Sequence, residues 1–398
     1  MRWAVLLGAT MGSACVDAPT ETTVGARPAS LQAVKFWDVL ATTRWNLRAT
    51  DILQGLPPGT PPNGQAWASR MLTYLSLAQY RAVLAATASS DGRTHPSVSA
   101  AVARASVVVL RAFFATTPGV PEALDQQLVD DRSAPGWPGE ANRDVTAGDA
   151  IGLVVGQAVL TQSSRDGYLS LPAPTPPVDD GTHWFPTGAI VRSLWGATPF
   201  FLEPQDLLLS PDPPDYGSAE FQAALGEVYA IVSSRTPDQL AIALKWNKVP
   251  PNGPFTAGEW NRTADELIRS HHRTEAEAAR ILAYANVAAF DAQIDCFTTK
   301  FNWWVRRPHQ ADSRIVPPLL AFVVPNHPSY PSGHSCISSA MGAVLSDAFP
   351  SERRRLDGLV EEAGMSRIYA GIHYRFDIEA GQGVGRRAAA KALAGRLE

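Results

Sequence analysis

The chain has 398 residues, of which 45% are hydrophobic and 18% are charged, so it can build a large core and is not a wholly disordered protein. Lysine and arginine total 34 against 38 acidic residues, a formal net charge of −4, and no basic block stands out; nucleic-acid binding is therefore not expected. Three cysteines are too few for a disulfide framework.

The first 20 residues have the pattern of an export signal. Met1 and Arg2 precede an apolar stretch over 3–14, and a polar run follows Cys15. Residues 12–15 resemble a lipoprotein cleavage box, in which Cys15 would carry the lipid. The sequence thus predicts an exported protein, periplasmic or extracellular, with lipid anchoring through Cys15 as one form of it; the alternative is an irregular N-terminus on a protein that is not exported. No later segment reaches the roughly 18 uncharged apolar residues of a membrane span.

Apolar residues recur at helical spacing along most of the remaining chain. The periodicity predicts helices over 67–84, 97–114, 141–160, 218–232 and 274–304, and the last of these contains no proline. Thr236-Pro237-Asp238 has the composition of a helix start. Strand-like alternation is nearly absent. The predicted fold class is therefore all-α.

A proline-rich stretch interrupts this pattern. Residues 171–216 hold ten of the 32 prolines and cannot be helical throughout. Because the stretch is also rich in aromatic residues, we expect it to pack on the protein and to cover a pocket. The predicted organisation is an export signal (1–20), an N-terminal helical half (30–170), a proline-rich crossover (171–216) and a C-terminal helical half that carries the chemistry (217–398).

The first chemical motif contains two cations near the end of the longest helix. Lys300 and Arg307 are seven residues apart, two helical turns, so the pattern predicts that both project from one face before Pro308. A bound tetrahedral oxyanion would explain two repelling cations at one place. The alternatives are a solvated basic edge, or Arg306 as the anion-binding arginine.

The second motif is the run from His327 to His334, which precedes a predicted helix over 335–349. Ser332 and Gly333 therefore lie at a helix N-terminus, where free backbone N–H groups favour an anion. His334 would stand beside that anion and could transfer a proton. The alternative for Ser332 is a simple helix cap.

The third motif runs from Ser366 to Asp377. If the segment from His373 is helical, Asp377 lies one turn further on and can accept the imidazole N–H, which fixes the tautomer and leaves the other ring nitrogen free to attack or to ligate. Arg367 adds another cationic donor. The alternative is that His373 has a purely structural role.

The order and spacing of these motifs resemble the type 2 phosphatidic acid phosphatase and vanadium haloperoxidase superfamily. The resemblance implies helical bundles of that type. It also implies catalytic roles for His334, His373 and Asp377, with His373 as the metal ligand. The oxyanion would be held by Lys300, Arg307, Ser332, Gly333 and Arg367.

Within the superfamily, the sequence is most similar to bacterial vanadium-dependent haloperoxidase-like proteins, over roughly 34–395. The membrane lipid phosphatases have spanning helices, which this chain lacks, and the soluble acid phosphatases are shorter. The resemblance implies vanadate as cofactor and hydrogen peroxide and halide as substrates, the products being hypohalite and water. The alternative is an acid phosphatase in which phosphate occupies the same site and His373 attacks a phosphate ester. A non-catalytic anion-binding module would have no use for His334.

Two side chains are expected to line the pocket of a haloperoxidase. Phe297 would form an apolar wall, and His327 would add a polar group, unless it is an ordinary loop histidine. Because easier oxidations tolerate a more polar site, we expect bromide or iodide to be oxidised more readily than chloride.

Four further residues near these motifs carry weaker expectations. Cys296 and Cys336 could approach each other in the fold, either as a disulfide or as buried thiols. Asp291 and Asp295, one helical turn apart, are expected to orient basic side chains.

Overall fold

Helices make up the regular structure, as the sequence predicts. The computed structural model describes residues 40–57, 64–90, 95–133, 140, 143–170, 174–317 and 324–397, and these contain no β-strand. Thirteen α-helices lie within them: α1 (Ala41–Gly55), α2 (Gln65–Ala88), α3 (Val98–Phe113), α4 (Val120–Ser133), α5 (Val145–Ser163), α6 (Ala219–Ser233), α7 (Pro237–Lys245), α8 (Phe255–Ser270), α9 (Glu275–Trp303), α10 (Pro308–Ala311), α11 (Gly333–Ala348), α12 (Arg353–Tyr369) and α13 (Arg375–Ala394).

Side-chain caps begin several of these helices. Thr236 and Gln239 form a capping box ahead of Pro237, so the predicted start of α7 is confirmed. Thr274 and Glu277 form the same box at the start of α9. Each cap satisfies backbone N–H groups that have no partner inside the helix.

Helix α9 is the central helix of the core. It is buried on every face from Ile281 to Phe297 and packs against α2, α11 and α13. In the N-terminal half, α3 and α5 approach closely at Gly148 and Gly152, where an added Cβ would lie 2.2 and 2.3 Å from backbone carbonyl oxygens of α3 and its cap. The core surrounds α9 as far as its last turn, which carries the buried Lys300.

The proline-rich crossover packs on the helices, as expected, and its described part from 174 contains a single short 3₁₀ turn and no α-helix. The carboxylate of Asp291 accepts the backbone N–H groups of Phe200, Phe201 and Leu202 at 2.7–3.2 Å. The expectation that Asp291 orients a basic side chain is therefore wrong, because the crossover supplies three donors. Asp295 does contact a cation, Arg387, at 3.1 Å.

Several other expectations are addressed by the described residues. Cys296 and Cys336 are both buried free thiols. None of the described helices is long and apolar enough to cross a membrane. The proposed export signal and Cys15 lie outside the described residues. Residues 39–398 cluster as one compact unit, and the boundaries at 171 and 216 stay predictions.

Candidate active site

Lys300 lies in the last turn of α9 and is completely buried. Its ammonium group donates to the carbonyl oxygens of Pro328 at 2.9 Å, Ser329 at 2.7 Å and Pro331. These contacts use all three N–H groups and attach the second motif to α9. Burial lowers the pKa of Lys300 to about 8.

Arg307 reaches the site from a loop, so the prediction that it shares a helix face with Lys300 was wrong. Helix α9 ends at Trp303, and Trp304 adopts a left-handed conformation with φ of 50°. The left-handed residue stops the helix and redirects the chain. Arg307 then stands immediately before the short helix α10, which begins at Pro308.

The guanidinium of Arg307 is buried among neutral acceptors. It donates to the carbonyl oxygens of His327 and Ile372, both at 2.8 Å, and its Nη2 lies 3.1 Å from Nδ1 of His327. Burial lowers the pKa of Arg307 to about 10. Among the described residues, neither Arg307 nor Lys300 forms a salt bridge with a carboxylate. Two buried positive charges are thus hydrogen-bonded to neutral groups without a carboxylate in direct contact, and Asp377 acts on both of them only from a greater distance.

The alternative cation, Arg306, turns away from Lys300 and Arg307, which together form the cation cluster. It donates to the carbonyl oxygen of Gly181 and lies over the ring of Phe185, 4.9 Å from the ring centroid. Both partners belong to the crossover, so Arg306 fastens that segment to the protein.

His373 and Asp377 form the expected pair, although not through a helix. Nδ1 of His373 lies 2.7 Å from Oδ2 of Asp377, and Nε2 lies 3.4 Å from Nη1 of Arg307. Because a carboxylate accepts and a guanidinium donates, these neighbours assign the proton to Nδ1 and a lone pair to Nε2. Helix α13 begins only at Arg375, so His373 precedes it and the helical premise was wrong.

Burial shifts the pKa of both members of this pair. It raises the pKa of Asp377 to about 6, opposed by the hydrogen bond from Ser329. Burial, followed by the charges of Arg307 and Lys300, lowers the pKa of His373 well below its ordinary value. The imidazole is therefore neutral, the form that can attack or ligate.

The start of α11 offers free backbone donors. Ser332 caps the helix, its Oγ accepting the Ser335 N–H at 3.4 Å, and its own N–H donates to the carbonyl oxygen of Asp377. The N–H groups of Gly333 and His334 make no hydrogen bond to another described residue. An added Cβ at Gly333 would have no atom within 4 Å. This space and these donors suit an anion.

The last two predicted residues are held by the C-terminal end of α7. Nε2 of His334 lies 3.0 Å from the carbonyl oxygen of Trp246, so Nε2 carries the proton and Nδ1 holds the lone pair. Arg367 donates to the carbonyl oxygen of Ala243 at 3.2 Å, and burial lowers its pKa to about 9. Burial likewise lowers the pKa of His334 well below its ordinary value. The sequence did not indicate this role of α7.

Aromatic rings border the cation cluster. Phe297 and His327, the two expected wall residues, meet edge to face with ring centroids 5.1 Å apart. Phe301 and Trp304 continue the row, and Trp184 of the crossover stacks on Trp304 at 6.0 Å. The Trp184 N–H also donates to the Trp304 carbonyl oxygen at 2.7 Å. The crossover thus packs against this aromatic row.

The donor set suits an oxyanion rather than a bare cation. In the part of the chain that the structure describes, no group of three or more His, Cys, Asp or Glu side chains is arranged to hold a metal ion. The lone pair on Nε2 of His373 instead faces the cation Arg307, and the start of α11 adds free N–H groups. Such a site fits phosphate, or an oxyanion whose central atom accepts a nitrogen ligand.

Comparison with known proteins identifies the region that carries these residues. Residues 281–394 match the PAP2 superfamily model. They form a PAP2 superfamily domain. This range begins in α9, ends with α13 and contains all eight predicted site residues, whereas α7 lies outside it. The resemblance inferred from the motifs is confirmed.

The curated relatives match only a short part of the chain. Non-specific acid phosphatases of Salmonella typhi and Salmonella typhimurium strain LT2 are 42% and 40% identical over 57 residues. The match covers 14% of this chain and 23% of each phosphatase. The chain therefore spans less than a quarter of the length of these relatives.

Solved structures match nearly the whole chain. The first bacterial vanadium-dependent iodoperoxidase aligns with a TM-score of 0.72 and 22% sequence identity. The alignment covers 89% of this chain and 95% of the iodoperoxidase chain. A bacterial vanadium-dependent chloroperoxidase in its holo form gives 0.64 at 14% identity, over 87% and 96%. Its apo form gives 0.63 at 12% identity, over 87% and 98%. The fold beyond the PAP2 domain is therefore that of these enzymes, and the predicted fold type is confirmed.

Proposed function

We propose that this protein is a vanadate-dependent haloperoxidase, which uses hydrogen peroxide to oxidise halide to hypohalite. The observation that carries the proposal is that Lys300 and Arg307 are buried cations that form no salt bridge with a described carboxylate, while the start of α11 offers free N–H groups. Buried charges without a partner are costly, so a multiply charged oxyanion is the expected occupant. The similarity of fold to bacterial vanadium haloperoxidases favours vanadate.

Each site residue would have a role that follows from its side-chain chemistry. Vanadate, when bound, supplies Lewis-acid activation of peroxide toward halide. His373 would ligate it through Nε2, and Asp377 keeps the proton on Nδ1. Arg307, Ser332, Gly333 and Arg367 would hold the oxyanion. Lys300, whose three N–H groups are bonded to carbonyl oxygens, would help to balance its charge. His334 would move protons through Nδ1, since its Nε2–H is held by a backbone carbonyl.

An acid phosphatase is the second candidate, supported by the similarity to the two Salmonella enzymes. In this case Nε2 of His373 attacks the phosphorus of a phosphate ester. The N–P bond forms as the P–O bond to the alcohol breaks, and His334 protonates the departing oxygen. Water then hydrolyses the phosphohistidine.

A paired assay separates the two candidates. One sample of purified protein receives vanadate, hydrogen peroxide, halide and a halogen-accepting dye, and the other receives p-nitrophenyl phosphate. We expect colour in the first sample that depends on vanadate, and faster oxidation of bromide or iodide than of chloride. Phosphate ester hydrolysis with no halide oxidation at any vanadate concentration would favour the phosphatase instead.

The two histidines can be distinguished by substitution. His373→Ala should abolish vanadate binding and halide oxidation. His334→Ala should still bind vanadate but lose about 10²–10⁴-fold in turnover, the usual contribution of acid–base catalysis. The loss of activity in Asp377→Asn should lie between the losses in the two histidine variants. The measurements are vanadate titration and halide oxidation at saturation, and an inverted result for the two histidines would reverse their roles.

We also propose that the chain is exported, and that Cys15 is its lipid attachment site. The motif at 12–15 and the apolar stretch before it support this. Fractionation of cells that express the full chain, with mass spectrometry of the mature N-terminus, tests both points. A cytoplasmic protein with residues 1–20 intact would contradict export.

A further inference from the structure

Ser329 is completely buried at the junction between Lys300 and the His373–Asp377 pair. Its Oγ donates to Oδ2 of Asp377 at 2.5 Å. Its carbonyl oxygen accepts from Lys300 at 2.7 Å, and its N–H donates to the carbonyl oxygen of Val305 at 2.9 Å. The motif analysis assigned this serine no role, yet it bonds to two segments of the site at once.

The bond from Ser329 bears directly on the orientation of the imidazole. Oδ2 of Asp377 receives three donors: Ser329 Oγ, the Tyr374 N–H at 3.0 Å and His373 Nδ1 at 2.7 Å. Its other oxygen, Oδ1, is buried and bonded to no described residue. Without the hydroxyl, the Tyr374 N–H would be the only donor besides the imidazole, and the carboxylate would lose one of the three hydrogen bonds that fix its orientation.

We propose that Ser329 is a positioning residue, which fixes the Asp377 carboxylate and thereby directs the Nε2 lone pair of His373 toward the cation cluster. The hydrogen bond from Lys300 to the Ser329 carbonyl oxygen also fixes the position of the ammonium group relative to the His373 imidazole. The inference rests on the proposed function only for the identity of the oxyanion that Nε2 meets. Substitution of a group that orients a metal-binding histidine in this way typically lowers metal affinity by about 10–100-fold.

The test compares Ser329→Ala with Ser329→Thr, which keeps the hydroxyl. Ser346→Ala is the matched control, because Ser346, which lies on α11, is also buried and its Oγ bonds to no described residue. Two properties of the full chain are measured. Nitrogen-15 NMR of the histidine rings in anion-free protein reports the tautomer of His373, and titration gives the affinities for orthovanadate and for inorganic phosphate.

In Ser329→Ala we expect mixed tautomers of His373 and an affinity for vanadate lower by about 10–100-fold. Affinity for phosphate should stay close to that of the parent, because phosphate needs the cations but no bond to Nε2. Ser329→Thr should recover the single tautomer and most of the vanadate affinity. Ser346→Ala should match the parent in both measurements.

Two results would overturn the inference. One is an unchanged tautomer with unchanged vanadate affinity in Ser329→Ala. The other is an equal loss of both anions, which would mean that the serine only supports packing. A parent chain that binds no vanadate would contradict the proposed function instead, and the tautomer comparison would then decide the role of Ser329 alone.

Discussion

Two buried arginines, one in each half of the molecule, are satisfied in different ways. Arg70 on α2 pairs with Asp166 at 2.6 Å, and the same carboxylate accepts from Tyr74 at 3.0 Å. Arg307 is equally buried but meets only carbonyl oxygens and imidazole nitrogens. The first charge is neutralised within the chain and serves stability. The second is hydrogen-bonded but keeps its charge, which marks a place for an external anion.

Breaking the neutralised pair should give the largest effect. Asp166→Ala leaves Arg70 charged and buried without a carboxylate, and we expect a loss of about 3–5 kcal/mol in the free energy of unfolding. Urea denaturation measures it. The double variant Arg70→Met with Asp166→Leu removes both charges and should recover much of the loss. A single variant as stable as the parent would remove the contrast between the two halves.

Removing the charge of Arg307 should affect anion binding rather than the stability of the anion-free protein. Arg307→Met should change stability in anion-free buffer much less than Asp166→Ala does, because no salt bridge is broken. Phosphate at 100 times its dissociation constant should stabilise the parent by about 2.7 kcal/mol and leave this variant nearly unchanged. Thermal unfolding with and without phosphate, at ionic strength matched with sodium chloride, tests this. Equal stabilisation of both proteins would place the anion elsewhere.

The smallest expected effect is a pH dependence of anion affinity, caused by the titration of Lys300. Its pKa is lowered to about 8, so the side chain is charged below that pH and neutral above it. Affinity for sulfate, whose own charge is constant here, should fall as pH rises through 8, by at most about tenfold per unit, or 1.4 kcal/mol. Lys300→Arg should move the loss to higher pH. Calorimetric titration from pH 7 to 9.5 measures it, and a flat profile in the parent would contradict the assignment.

Much of the site could be predicted from the sequence because its signals are local. A helix cap at Ser332, a glycine after it and the fixed spacings to Lys300, Arg307, Arg367 and His373 lie within short segments, and they predicted the superfamily correctly. The same local reasoning extended two helices too far, to Arg307 and to His373. Those ends are set by distant contacts.

Trp304 shows why such an end escapes prediction. It adopts the left-handed conformation in a segment without proline or glycine, and its ring and carbonyl oxygen both contact Trp184, 120 positions earlier in the chain. Four helices of 14 to 17 residues, α1, α4, α8 and α12, were also not predicted from the sequence. Helix α4 buries only Leu124, Leu128 and Asp131, so its sequence carries a weak apolar pattern.

The sequence alone determined which residue types stand near one another along the chain, and hence many of the helices, their caps and the superfamily. Only the tertiary structure decided which buried charges are neutralised, because charge balance depends on neighbours from distant segments. Arg70 meets Asp166 across 96 positions, whereas Arg307 meets His373 across 66 and forms no salt bridge with a carboxylate among the described residues. The difference between a structural ion pair and an anion site is therefore a property of the fold, since low-dielectric burial makes an uncompensated charge costly wherever the fold creates one.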